Sequence, residues 1–273
     1  MLVKAAAQTH RGRVRANNED AVGSVQPTDP TARERKGLLF AIADGMGGMN
    51  AGEVASATAI STLLDEYYAP SNSSRIEPAL RHAMQLANLR VHDLGQKNLD
   101  QRGMGTTLSA LALAGATAYI AHVGDSRVYR LRDGRLSQLT QDHSEVADLV
   151  RMRIVKPEMV ASHPSRNVLT RTVGHQLMLR PDFAREPVKP NDLFVLCTDG
   201  VWSEIEEPEL AQLALAAEPE DACRQIIDLC LERDCGDNIS VQVVRVLEID
   251  GNAQEAHHRP PGFLRGIMDK LGA

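Results

Sequence analysis

Two short runs, Leu38-Leu39-Phe40-Ala41-Ile42-Ala43 and Leu193-Phe194-Val195-Leu196-Cys197, are apolar at every position, and both lead into Asp-Gly. A strand with one wet face alternates apolar with polar residues. An unbroken apolar run this short, closed by a turn dipeptide, reads instead as a strand buried on both faces. Residues 107–113 and 116–123 around Ala114-Gly115 read as a hairpin, and so do 127–132 and 135–139 around Asp133-Gly134. Ile239, Val241 and Val243 alternate with polar residues and give one more strand.

Helical spacing lies between these. Leu80, Met84, Ala87, Val91 and Leu94 share one helix face, and Val54, Ala57, Ile60 or Ser61, and Leu64 mark a helix that follows the glycine-rich turn Gly45 to Gly52. Pro208 opens a third helix, at a start where its missing N–H costs nothing, and Ala222, Ile226 and Leu229 belong to a fourth. Hairpins outnumber strand–helix alternations, so antiparallel sheets with helices on their outer faces are expected. Residues 141–170, with Pro157, His163 and Pro164, read as a less regular insert, and the pattern fades after Glu248.

At 273 residues the chain suits one large domain, and 43% hydrophobic with 24% charged residues is ordinary for a globular enzyme. A net charge of −6, a pI near 5.9 and 3% aromatic content argue against a nucleic-acid binder. The most apolar stretch, Thr106 to Val123, is broken by Gly115 and carries Thr and Ser, so no transmembrane segment is expected. Cys197, Cys223, Cys230 and Cys235 form neither a disulfide framework nor a zinc spacing and read as reduced thiols of a cytoplasmic protein.

Asp-Gly is usually only a turn, and Asp133-Gly134 is read that way. Asp44-Gly45 and Asp199-Gly200 close strands too apolar for the surface, so their carboxylates sit at the rim of a core. There a carboxylate needs a helix N-terminus, a basic side chain or a metal. Either aspartate alone has a structural reading. Both together, with Glu19-Asp20 and Asp237-Asn238 beside other strands, suggest a carboxylate cluster. Hard oxygen ligands without a His or Cys pattern favour Mg²⁺ or Mn²⁺ over zinc. The glycines of Gly45-Met46-Gly47-Gly48 would let backbone carbonyls approach such an ion. Spacing does not settle whether the segments converge.

Seven segments together resemble the metal-dependent protein phosphatases of the 2C type, the PPM family, in its compact bacterial form. They are Arg15-Ala16-Asn17-Asn18-Glu19-Asp20, Ala43 to Gly48, Gly105-Thr106-Thr107-Leu108, His122 to Arg127, Leu139 to Ser144, Cys197 to Trp202 and Asp237-Asn238-Ile239-Ser240. They follow the family's order across residues 5–247. The resemblance implies an α+β fold, a four-layer αββα sandwich of two mainly antiparallel sheets flanked by helices. Residues 1–247 would form the catalytic domain, with a flap-like insert near 141–170 and a flexible tail at 248–273.

The resemblance also implies two Mn²⁺ or Mg²⁺ ions. Asp44 would bridge them, the Gly45 carbonyl would bind one, and Asp199 and Asp237 would complete the other. Asp20 matches a further acid of the metal site, and Glu19 matches one that coordinates directly in some members. Asp125 matches a residue that holds a third, weaker ion with Asp199. A water bridging two divalent ions loses its proton near neutral pH and attacks phosphorus in line. Arg15 would clamp the phosphate oxygens with a fork that cannot lose its charge. Many animal relatives carry His where this chain has Met46. Met46 cannot transfer a proton, so a metal-bound water or another residue must protonate the leaving group.

The implied enzyme is a monomeric serine/threonine phosphatase acting on phosphorylated proteins against a cognate kinase, in envelope or growth signalling or in type VI secretion. A catalytically silent binding module and a small-molecule phosphoesterase are the competing readings, and retention of Arg15, Asp20, Asp44, Asp199 and Asp237 counts against the first. Among weaker signals, His163 and Arg166 sit where a flap would meet substrate, and His122 reads as a hydrogen-bonded packing residue. The run Glu204 to Glu209 reads as a helix cap with a solvated face. Phe263, Ile267 and Leu271 would form a weakly amphipathic helix in the tail.

Overall fold

The computed structural model describes residues 1–47, 51–160 and 163–249. Strands β1 (Leu2–His10) and β2 (Asp20–Val25) are followed by helix α1 (Pro30–Lys36) and strand β3 (Leu38–Met46). Helices α2 (Ala51–Tyr68) and α3 (Ile76–Lys97) precede β4 (Gly105–Thr106), β5 (Leu108–Ala114), β6 (Thr117–Val123), β7 (Arg127–Arg132) and β8 (Arg135–Gln138). Helix α4 (Glu145–Arg151), β9 (Asp182–Pro187) and β10 (Leu193–Cys197) come next. A single-turn helix α5 (Asp199–Trp202), then α6 (Glu207–Ala216), α7 (Pro219–Glu232) and β11 (Ile239–Glu248) complete the described chain.

One sheet runs β1-β11-β10-β7-β8 and the other β2-β3-β5-β6-β9, with β4 beside β3. Their pairings are antiparallel. The two apolar runs explain why the sheets stack. In β3, Phe40 and Ile42 point into the layer between the sheets, while Leu39 and Ala41 point outward to Leu63, Leu80 and Met84 of α2 and α3. In β10, Phe194 and Leu196 enter the same middle layer, while Val195 and Cys197 meet Leu210 and Ile226 of α6 and α7. Period-two alternation thus feeds two cores from each strand, and the expected sandwich is present. Fully burying a side chain such as Phe40 stabilises the fold by about 1.5–3 kcal/mol.

The hairpin at Asp133-Gly134 forms as read, with both residues left-handed at φ 52° and 76°. All four cysteines are free and buried. His122 is buried, with Nδ1 2.8 Å from Ser109 Oγ and Nε2 3.1 Å from the Gln141 carbonyl. Within the insert, helix α4 is an addition to the irregular stretch expected there, and the Ser144 hydroxyl caps it by accepting from the Ala147 N–H. Glu206 stands at the N-cap of α6 without a side-chain cap bond, and Glu209 pairs with Arg233. Among the described residues no helix is long and apolar enough to cross a membrane. Gly48 of the glycine-rich turn and the tail segment around Phe263 lie outside the described residues.

Candidate metal centre

Strand ends from both sheets meet at one edge of the sandwich. Antiparallel pairing of β2 with β3 sets Asp20 directly opposite Asp44. Neighbouring β10 and β11 bring Asp199, the first residue of α5, close to Asp237, two residues before β11. After β6, Gly124 turns with φ +109° and delivers Asp125. Arg15, Glu19, Asp44, Asp125, Asp199 and Asp237 line one cavity of about 300 Å³, together with Gly45. Of the adjacent pair, Glu19 is on the lining. Asp20 is buried behind Asp44, where its Oδ2 accepts from the Thr198 hydroxyl at 2.9 Å.

The backbone here is tightly held. Asp44 N–H donates to Thr107 Oγ1 at 2.8 Å, and the Asp44 carbonyl accepts from the Thr107 N–H at 2.9 Å and the Thr106 hydroxyl at 2.8 Å. Gly45 N–H donates to the Glu19 carbonyl at 3.0 Å. A Cβ at Gly45 would stand 2.0 Å from the Gly52 carbonyl oxygen, and one at Gly200 the same distance from the Asn238 carbonyl oxygen. The glycine after each aspartate therefore serves close backbone packing rather than a turn. Asn238 fastens the N-terminal loop. Its Nδ2 donates to the Arg11 and Asn17 carbonyls, and its Oδ1 accepts from the Glu19 N–H at 2.8 Å. Arg15 Nη2 reaches Asp237 at 2.9 Å.

So many acids in one place are electrostatically costly. Burial, then repulsion from Asp199, Asp20, Asp125 and Asp237, holds the Asp44 carboxyl well above the usual range. Burial followed by Asp199 and Asp142 pushes Asp125 up to about 8, and burial pushes Asp20 to about 7. Asp199 rises to about 6 through burial and Asp237, although Asp44 hydrogen-bonds it. Asp199 Oδ1 and Asp20 Oδ1 are buried without a hydrogen-bond partner. Buried carboxylate oxygens left unpaired, beside acids that repel one another, are the environment a divalent cation relieves. Among the described residues no three His, Cys, Asp or Glu side chains already stand in closed ligand geometry. The fit rests on the orphaned oxygens and the hard-oxygen donor set.

The sequence reading missed part of the lining. Thr107, Asn167, Leu169, Thr172, His175 and Asn238 contribute to it, whereas His163 and Arg166 stand outside it. Thr107 and Asn238 lay inside the quoted motifs as unremarked neighbours of the acids. Nothing in spacing or periodicity marks Thr172 or His175.

The carboxylate-lined cavity lies at the edge of an αββα sandwich, the arrangement shared by the metal-dependent protein phosphatases that the chain matches. The protein phosphatase 2C family model matches residues 6–239, and the chain belongs to that family. It is 34% identical over 253 residues to the serine/threonine protein phosphatase PstP of Mycobacterium tuberculosis, a match covering 92% of this chain and 46% of PstP. It is 32% identical over 248 residues to the protein phosphatase PhpP of Streptococcus pneumoniae, covering 89% and 97%. The catalytic domain of PstP in complex with two manganese ions superposes with a TM-score of 0.78 at 31% identity, covering 90% of this chain and 99% of that one. PppA, described as a key regulatory component of T6SS in Pseudomonas aeruginosa, gives 0.75 at 35% identity, covering 90% and 98%.

Proposed function

We propose that this phosphatase hydrolyses phosphoserine and phosphothreonine in proteins at a centre of two Mn²⁺ or Mg²⁺ ions. Asp44, Asp199, Asp237 and the Gly45 carbonyl would hold them, with Glu19 on the lining and Asp20 behind it. Asp125 would face a third, weaker ion. The observation that carries this reading is the convergence of acids from five separate chain segments on one cavity, with buried oxygens left unpartnered beside it. When bound, such a pair of ions supplies a nucleophilic hydroxide near neutral pH and offsets charge on the phosphoryl group.

The chain's own residues do the rest. The Asp44 amide and carbonyl are locked by Thr106 and Thr107, so its carboxylate is held rather than hinged. The Arg15 guanidinium keeps its charge at any working pH. Asp237 fixes it through Nη2, and its planar fork matches the oxygens of a phosphate dianion. Residues 1–247 act as the catalytic domain, with 248–273 a tail beyond it. The protein works as a cytoplasmic monomer opposing a serine/threonine kinase, in envelope or growth signalling or in type VI secretion, the last setting supported by the likeness to PppA.

Purified protein with Mn²⁺ should release phosphate from phosphothreonine peptides faster than from sugar phosphates, and EDTA should stop it. A peptide rate no higher than the sugar-phosphate rate would remove the protein-directed reading.

A further inference from the structure

Hydrolysis of a phosphoserine or phosphothreonine ester expels an alkoxide, which must gain a proton as its bond to phosphorus breaks. Met46, on the cavity lining beside Gly45, has none to give. We propose that Thr172 and His175 deliver it, Thr172 as donor to the leaving oxygen and His175 as the group that resupplies Thr172. The inference rests on the phosphatase reading above.

Both residues line the same cavity as the acids, and His175 is the one imidazole on that lining among the described residues. The strand register brings them there. Gly45 pairs with Thr106 of β4, and Thr106 in turn bridges Val173, with N–H···O bonds of 3.1 and 2.8 Å. The segment carrying Thr172 and His175 therefore runs beside β4, which separates it from Asp44-Gly45. It is also clamped from α3. Gly174 takes φ +98° and donates its N–H to Oδ1 of the buried Asn88 at 2.8 Å, while His92 Nδ1 lies 2.9 Å from the Gly174 carbonyl. A Cβ at Gly174 would come within 2.5 Å of Val91 Cγ1, so the turn admits little else. Such clamping is the preorganisation that proton delivery needs.

The hydrogen bonds assign the protons. His175 Nε2 lies 3.0 Å from the Gly103 carbonyl, which can only accept, so Nε2 carries a hydrogen in either charge state. Nδ1, 2.8 Å from Thr172 Oγ1, accepts from that hydroxyl when the ring is neutral and donates to it when the ring is imidazolium. His175 is exposed, so water can reload it.

In the step itself, the attacking water oxygen forms its bond to phosphorus and sheds its proton to solvent. The bond from phosphorus to the seryl or threonyl oxygen breaks, and its electron pair stays on that oxygen. That oxygen takes the Thr172 hydroxyl proton, and Thr172 Oγ1 takes the Nδ1 proton of His175. The neutral ring, still donating Nε2–H to Gly103, regains a proton from water.

The test compares leaving groups. A phosphothreonine peptide needs the proton, whereas p-nitrophenyl phosphate releases a stable anion that hardly does. With saturating Mn²⁺, T172A and H175Q should lower kcat on the peptide by about 10²-fold and on the aryl ester by less than about threefold. T172S keeps the hydroxyl and should keep most of the peptide rate. Equal losses on the two substrates, or an undiminished peptide rate in T172A and H175Q, would overturn the proposal. A wild-type enzyme inactive on both substrates would instead strike at the phosphatase reading.

Discussion

Asp192 and Asp199 flank the same strand, β10, and meet burial in opposite ways. Asp192 is 1% exposed, and the Arg132 fork holds both its oxygens at 2.6 Å while the Lys189 N–H donates to it at 2.7 Å. Asp199 has a buried oxygen with no partner, and it is repelled by Asp237 more strongly than it is attracted by Arg15. At the far end of β10 the fold supplies its own cation. At the cavity end the cation it supplies, Arg15, pairs with Asp237 and leaves the Asp199 oxygen open. The first carboxylate is finished as structure, and the second is completed only by something that binds. A buried acid is therefore informative when its lone pairs are counted, not when its burial is measured.

That contrast breaks most directly at Asp199. Asp199→Asn should lower Mn²⁺-dependent turnover by about 10²–10³-fold while raising the melting temperature of the EDTA-treated protein, because it removes an unpaired buried charge. Full turnover, measured against a phosphopeptide, would show that Asp199 is no ligand. Asp192→Asn should do the reverse. It strands the Arg132 guanidinium and should cost about 3 kcal/mol in denaturant unfolding, with the Mn²⁺ requirement unmoved. A shifted Mn²⁺ midpoint in that variant would blur the distinction.

The pH response sharpens it further. Asp199, Asp20 and Asp125 titrate near 6, 7 and 8 in the folded protein, above their ordinary values. The folded, metal-free protein thus binds protons that the unfolded chain has already lost. Stability from these groups is complete below about pH 4 and is lost as pH rises through the folded values. The EDTA-treated protein should melt several degrees lower at pH 8 than at pH 5, at about 2–4 °C per kcal/mol. Mn²⁺ should reverse the slope, since it binds the deprotonated carboxylates. A flat profile without metal would contradict the unpaired cluster. The smallest effect is expected at Asn238→Ala, which releases the N-terminal loop. It should raise KM for phosphopeptide through Arg15 and cost about 1–3 kcal/mol of stability, with kcat on an aryl phosphate less affected.

What could be read from the sequence follows the same physics. Phe40 and Phe194 sit in runs with no polar face, so burial on both sides was the only consistent reading, and the Asp-Gly pairs that follow marked the rim. Other parts carried no such signal. Strand β1 holds Ala5-Ala6-Ala7 between polar residues and is fixed by its register with β11, a pairing between the two ends of the described chain. The Glu19-Asp20 ambiguity was inherent, because successive strand residues point to opposite faces. Only the cavity lining separates the two, taking Glu19 and leaving Asp20 buried off it. Thr172 and His175 have no periodicity of their own, and the bridge from Thr106 to Val173 puts them in place.

The Asn238 staple sets when the enzyme can exist. Its bonds join residues 219, 221 and 227 positions apart, and β1 finds its place only against β11. Contacts this distant carry a large loop-closure cost and slow folding. A nascent chain that has not yet extruded β11 already holds Asp44 and Asp199 but has nothing to fasten the Arg15 loop beside them. Such a partial chain also lacks Asp237, so neither the cavity nor the partner of Arg15 is complete until the last strand has been made.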